Sequence, residues 1–340
     1  MRRHRFIVLF FFGVLIVMSL VLWVGFWEVL RDLAFMNLKY FMILLCIQFV
    51  MMFLWAVKWS IVLRHSKASF RKILPVSFVG YLINNLTPIS MAGGEPIRAY
   101  LLSRVDDIST EDSAASVIVD LFLEVFPLLG LVLLGIGLSF MYNVSVGVAL
   151  LLGVAGLFIL FVSAVIMTLF VNERISLRMI EVTLGLIERI PVGFLRDHAK
   201  DAKTRIDDII GNFMSSMRKT MMDWRIITVG VLVSTLNQML WIFRMYIIFN
   251  MMMGLNLPWD VVLIGRITVA AASFASIIPG GLGIWEGVGT WVYSMFGVAA
   301  SSAMAANLVE RLFSYWIGSA IGLAAAAYLG VTEYIKRYLD

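Results

Sequence analysis

The chain has 340 residues, 61% of them hydrophobic and 14% charged, with a mean hydropathy of +0.94 and a formal net charge of +5. A soluble domain carries about 25% charged residues, so the composition excludes a soluble enzyme and predicts an all-α polytopic membrane protein. One cysteine, Cys46, and three scattered histidines, His4, His65 and His198, exclude a disulfide framework and a thiolate or histidine metal cage.

In chain order, a basic start, Met1 to Arg5, precedes the uncharged run Phe6 to Trp27, which is too long for a signal peptide and reads as an anchor. Tyr40 to Val57 is the second expected span, with Lys58, Arg64, Lys67, Arg71 and Lys72 read as a basic loop after it. Ile73 to Met91 is a first broken element. Ser113 to Tyr142 and Val144 to Val171 are spans joined by a short turn. Residues 172–225 are polar, with ten Lys/Arg and eight Asp/Glu. Apolar residues there recur at three- and four-residue steps on both sides of Pro191, which predicts a cytoplasmic amphipathic helical hairpin between two halves of one transmembrane domain, residues 1–340. Ile226 to Asn250 spans again, Val261 to Ala300 holds a second broken element, and Ser302 to Gly330 is the last span. The Lys/Arg-rich segments fall on one side if each broken element returns to its own face. That gives about six full spans, two broken or re-entrant elements, and both termini on the inner side of the cytoplasmic membrane.

The broken elements carry the candidate chemistry. In Asn84 to Tyr100, Pro88, Gly93 and Gly94 precede Glu95. In Ser273 to Trp291, Pro279, Gly280, Gly281 and Gly283 precede Glu286. Each glutamate stands seven residues after its proline. Paired Gly/Pro-interrupted segments in corresponding halves point to a transporter-type site between inverted repeats. Irregular backbone beside a charge needs protein or a water-filled cavity around it. Glu95 and Arg98 share a helix face, and a helix starting there offers free N–H groups and a guanidinium to a phosphate; pairing of Arg98 with Glu95 alone is the competing structural role. Asp120 and Glu124 share a face of the third long segment. Arg311 needs a carboxylate from another element, with Glu286, Glu124 and Asp120 as candidates, while its neighbour Glu310 points about 100° away. Asn84 and Asn85 are available to line a polar site or to satisfy freed backbone groups. Arg244 is set aside as a residue that snorkels to the outer interface, and Arg266 is read the same way.

The ordered motifs TPISMAGGEPIRAY, IIPGGLGIWEG and ERLFSYWIG resemble the lysylphosphatidylglycerol synthase transmembrane-domain family of flippase-like proteins. The first signature matches Pro88, Gly93, Gly94, Glu95, Pro96, Arg98 and Ala99, the second Pro279, Gly280, Gly281, Gly283 and Glu286, and the third Arg311 with Tyr315 and Trp316. One departure is Leu121, where members commonly place an arginine after the acidic residue, here Asp120. Better-known members fuse this module to an aminoacyl-transferase domain, so a stand-alone chain implies translocation of a polar-headed lipid without its synthesis.

The expected function is therefore flipping of a phosphate-containing lipid or lipid-linked head group through a polar cavity between the broken elements. Its substrate-binding residues would be Glu95, Arg98, Asp120, Glu124, Glu286, Glu310 and Arg311, with no catalytic residue, cofactor or metal. Phospholipids or polyprenyl-phosphate-linked head groups are the expected partners, a homodimer is left open, and no nucleic acid is expected. Two alternatives stand beside it: an intramembrane lipid-modifying enzyme, against which the lack of HExxH, GxSxG and P-loop motifs argues, and a non-catalytic partner of a cell-envelope enzyme.

Overall fold

A computed structural model of the chain describes residues 3–87, 93–142, 144–171, 206–273, 276 and 278–331. The described residues form helices joined by short turns, with no strand among them, as expected of an all-α polytopic membrane protein. Helix α1 (Arg3–Val24) turns by 91° at Gly25 into the short α2 (Phe26–Ala34). Helix α3 (Phe41–Val62) follows, then α4 (Phe70–Leu86) and α5 (Glu95–Val105), α6 (Thr110–Met141) and α7 (Val146–Val171). After residue 205 come α8 (Ile206–Met221), α9 (Trp224–Ile247), α10 (Trp259–Ser273), α11 (Ile284–Met295), α12 (Ala300–Arg311) and α13 (Gly318–Tyr328). Helix α9 ends in a π-helical turn, Ile248–Met252, and a second, Leu312–Ile317, joins α12 to α13.

Among the described residues, four stretches are long and apolar enough to cross a membrane, those containing α3, α6, α7 and α9, and five if the bent α1–α2 pair counts as one. The last of the six expected spans is helical from Ala300 to Tyr328, but it carries Glu310 and Arg311 inside it, both buried. Its polar content is spent inside the protein.

Polar contacts sort the loop ends onto two faces. On one, His65 meets Asp223 at 3.0 Å, linking the end of α3 to the start of α9. There too the Ser69 N–H donates to Asp106 at 2.6 Å, tying the start of α4 to the end of α5. Burial works against the Asp106 carboxylate, yet the N–H groups of Ser69 and Asp107, with Lys72, hold its pKa below the ordinary range. On the opposite face, Tyr142 at the end of α6 hydrogen-bonds Asp260 at the start of α10, and Asp32 of α2 accepts from Ser301 and Ser302 at 2.8 Å. The first face carries Arg64, Lys67, Arg71 and Lys72 and is called the basic face below.

These ties settle the geometry of the broken elements. Helices α4 and α5 enter from and return to the basic face, so they form a re-entrant hairpin. Helices α10 and α11 form a second from the opposite face, with the Tyr293 hydroxyl near the end of α11 donating to the Val262 carbonyl near the start of α10 at 3.2 Å. Opposed hairpins are what an inverted repeat requires. Each hairpin has its own apolar core: Trp59, Ile73, Val79 and Leu123 around the first, Ile264, Val292, Tyr293 and Met304 around the second. Helix α1 covers the second tip, where Ile278, Leu282 and Tyr315 pack against Phe10, Val14 and Val17.

Of the expected amphipathic pair, the first helix and Pro191 lie outside the described residues. The second also lies outside them up to residue 205; from Ile206 it is helical as α8, which packs against the start of α6 through buried Met214 and Met217, with Ser216 hydrogen-bonded to Asp112.

Candidate functional site

The end of α4 in the first hairpin meets Pro279–Gly281 of the second, and each hairpin is held by a buried network of charges.

In the first hairpin, α4 ends at Leu86 and α5 begins at Glu95; Pro88 lies outside the described residues. The Gly94 N–H donates to Asn84 Oδ1 at 2.7 Å, which satisfies one of the donors freed at the break. A side chain at Gly94 would collide with the Gly80 carbonyl, so the glycine lets the two backbones touch. Arg98 is fully buried. Its Nη1 donates to Glu95 Oε2 at 2.6 Å, its Nη2 to Asp120 Oδ2 at 2.9 Å, and its plane lies 4.2 and 4.3 Å from the rings of Trp55 and Trp59. Asp120 also faces Lys58 Nζ at 3.1 Å, and Lys58 bonds Glu124, whose side chain is 31% exposed. This network sets two cations against three carboxylates.

In the second hairpin, Gly280 takes a left-handed φ of 60° that turns the chain, and its carbonyl accepts from Arg311 Nη2 at 2.7 Å. Glu286 sits in the first turn of α11. One oxygen accepts from the Gly283 N–H at 2.7 Å, capping the helix, and the other lies 3.3 Å from Arg311 Nε. The spacing from Gly283 to Glu286 in the second motif is therefore a helix cap that doubles as half of an ion pair. Glu310 turns away from its neighbour and bonds Arg244 and Arg266, the latter at 3.1 Å. Arg244 also bonds Gln48, and Arg266 lies 3.9 Å from the Trp241 ring. Here three cations face two carboxylates, and buried donors remain without a hydrogen bond: Nε of Arg244, Nε and Nη1 of Arg266, and Nε of Arg311, which has only its ion-pair contact with Glu286.

Between the networks, Asn85 Nδ2 reaches the second half. It donates to Ser319 Oγ at 3.0 Å and to the Ser314 and Tyr315 carbonyls at 3.3 and 3.4 Å, at the π turn, where the Ser314 carbonyl also accepts from the Tyr81 hydroxyl at 2.8 Å. A side chain at Gly280 would run into Tyr315 and the Asn85 carbonyl.

The expected residues thus gather in two places: Glu95, Arg98, Asp120 and Glu124 at the first hairpin, Glu286, Glu310 and Arg311 at the second. Arg311 meets Glu286, one of the three partners considered for it. Arg98 is bound by two carboxylates and two indoles, so a phosphate reaches it only by displacing one of them. Arg244 and Arg266 do not snorkel; each is 1% exposed and holds Glu310. Lys58 is not a loop residue but lies inside α3, also 1% exposed. The signal was present, because the apolar run resumes directly after Lys58 as Trp59 to Leu63. In space, Lys58 and Arg98 supply the positive charge beside Asp120 that Leu121 does not.

A family described as the lysylphosphatidylglycerol synthase TM region matches residues 10–322. A "UPF0104 membrane protein" of Methanothermobacter thermautotrophicus is 31% identical over 333 residues, covering 96% of both chains. Proteins of the same description from Pyrococcus horikoshii and Methanocaldococcus jannaschii are 26% and 24% identical, each aligned over 95% or more of both chains.

Proposed function

The chain belongs to the lysylphosphatidylglycerol synthase TM region family, a family of membrane proteins, and from that premise we propose that it translocates a phosphate-containing lipid head group between leaflets. One observation carries the reading: two broken hairpins enter from opposite faces, the end of α4 in one meets Pro279–Gly281 of the other, and each is backed by a buried, unbalanced ion network. A bundle that only needs stability gains little from buried ion pairs, since apolar residues of similar volume do as well or better. Intramembrane charges of this kind mark substrate paths by default.

In the proposed cycle, the arrangement seen here is the closed joint. The head group passes between the tips while the acyl chains stay in lipid. As the hairpins part, Glu95, Arg98, Asp120, Glu124, Glu286, Glu310 and Arg311 exchange partners with it. The surplus guanidinium of the second network suits a phosphate, and the surplus carboxylate of the first suits an ammonium on the same head or a proton. The charged groups pair with one another instead of converging on a nucleophile, which favours movement over chemistry on the lipid.

The test is leaflet exchange in reconstituted vesicles, using labelled phosphatidylglycerol and a labelled polyprenyl phosphate in separate preparations. Exchange of at least one faster than in protein-free vesicles is the expected result; protein-free rates for both reject the reading.

The basic face is proposed to be cytoplasmic, on the asymmetry of Lys and Arg. In a Cys46→Ala background, Lys67→Cys should react with a membrane-impermeant thiol reagent only from the cytoplasmic side, and Ser145→Cys only from outside; both positions are exposed. The reverse labelling inverts the proposed orientation.

A further inference from the structure

Helices α3 and α9 pack side by side, and the seam between them opens twice along its length. At the basic face, Ser60, Ile61, Arg64, Arg225, Ile226 and Val229 enclose a groove of about 320 Å³. Arg64 and Arg225 are exposed, and neither forms an ion pair among the described residues. The His65–Asp223 contact ties together the two helix ends that carry them. Above them the wall is apolar. From Val229 an exposed stripe continues along α9 through Leu232 and Leu236, at helical spacing.

The second opening is far smaller, about 10 Å³ with room for about one water; it lies one to two turns deeper in the same seam, bordered by Lys58, Glu124, Ser234 and Asn237. Ser234 is 3% exposed, and both its Oγ and the Asn237 Oδ1 are buried without a hydrogen-bond partner. Leaving such groups unsatisfied is costly unless something polar visits them. Deeper still on the same two helices are Gln48 and Arg244, bonded to each other. Polar side chains therefore line one seam from the basic face to the second network.

We infer that this groove is where a phosphate-headed lipid docks, with its phosphate held by Arg64 and Arg225 and its acyl chains against Val229, Leu232 and Leu236, before the head group moves inward past Asn237. The inference rests on the lipid-handling reading above and adds the docking site and the seam. Arg64 just past the end of apolar α3 and Arg225 at the start of apolar α9 are at positions suited to the head-group layer, where lipid phosphates lie. The apolar stripe decides between a lipid and a free anion, because inorganic phosphate has no use for it.

The test measures binding of dioctanoyl-phosphatidylglycerol to the purified full-length protein in detergent, with dioctanoylglycerol and inorganic phosphate as separate arms. Wild-type protein should bind the phospholipid and neither control. Arg64→Gln with Arg225→Gln should weaken binding by about tenfold or more, since charge-assisted contacts to phosphate are among the strong ones. Arg64→Lys with Arg225→Lys should fall between. Both arginines are exposed, so an unchanged unfolding temperature is expected and shows that the variants are folded. Failure of the wild type to bind, unchanged affinity in the glutamine variant, or equal arginine-dependent binding of inorganic phosphate overturns the inference. Leaflet exchange on the same preparations separates the two readings. Arginine-dependent binding without any exchange rejects translocation and keeps the docking site. Wild-type exchange and affinity in the glutamine variant reject the docking site and keep translocation.

Discussion

Arg266→Met should leave the protein folded and as stable as the wild type, or more so, while exchange of a phosphate-headed lipid is lost. Glu310→Gln should lose both. The two changes act on opposite sides of one imbalance. Among the described residues Glu310 is the only carboxylate that holds both Arg244 and Arg266, and all three are 1% exposed. Neutralising it strands two buried cations, and removing one member of a buried pair typically costs about 3–5 kcal/mol. Removing Arg266 instead leaves Arg244 with Glu310 and Arg311 with Glu286, a balanced set, and takes away buried Nε and Nη1 donors that have no partner. Methionine fills much of the same volume against Trp241. Unfolding temperature in detergent and exchange rate, measured on both variants, read the two effects separately. If Arg266→Met is as destabilising as Glu310→Gln, Arg266 is a structural member of the bundle and the surplus charge has no bearing on substrate.

How the sequence and the structure relate is clearest at particular residues. The spans were legible because hydrocarbon demands long apolar runs, and the basic segments set which ends share a face. The breaks were legible because Pro279 with three nearby glycines cannot continue a lipid-exposed helix. Even the partner of Arg311 was among the groups named. What composition could not show is which ends of each broken element lie together. That depends on contacts such as Ser69 with Asp106 and Tyr293 with Val262, between residues 37 and 31 positions apart. For Arg244, Arg266 and Lys58 the sequence points away from the observed placement for one physical reason. Each lies near a span end by count, where snorkelling or a loop is the ordinary explanation, and only packing shows that its helix end is covered by another element. The flanking indoles were the available signal: Trp55 and Trp59 beside Lys58, and Trp241 three residues before Arg244.

The sharpest question at the first hairpin concerns Arg98. The double change Glu95→Gln with Arg98→Gln should preserve the fold and abolish exchange. Removing both members avoids a stranded charge, and Asp120 keeps Lys58 at 3.1 Å, so the network retains the same surplus of one carboxylate. Glutamine also retains hydrogen-bonding capacity toward Asn84 and Asp120. If Arg98 serves only to neutralise Glu95, this variant should exchange lipid at the wild-type rate, because nothing is left unpaired. If instead Arg98 changes partners with a passing phosphate, the loss of its fork removes that contact in every conformation. Arg98→Lys provides the graded control. It keeps the charge between Trp55 and Trp59 but cannot bridge Glu95 and Asp120 as a planar fork does, so it should slow exchange less than Arg98→Ala. Unimpaired exchange in a folded double variant would take Arg98 off the lipid path, leaving Arg266 and Arg311 as the guanidiniums within the membrane that a phosphate could meet.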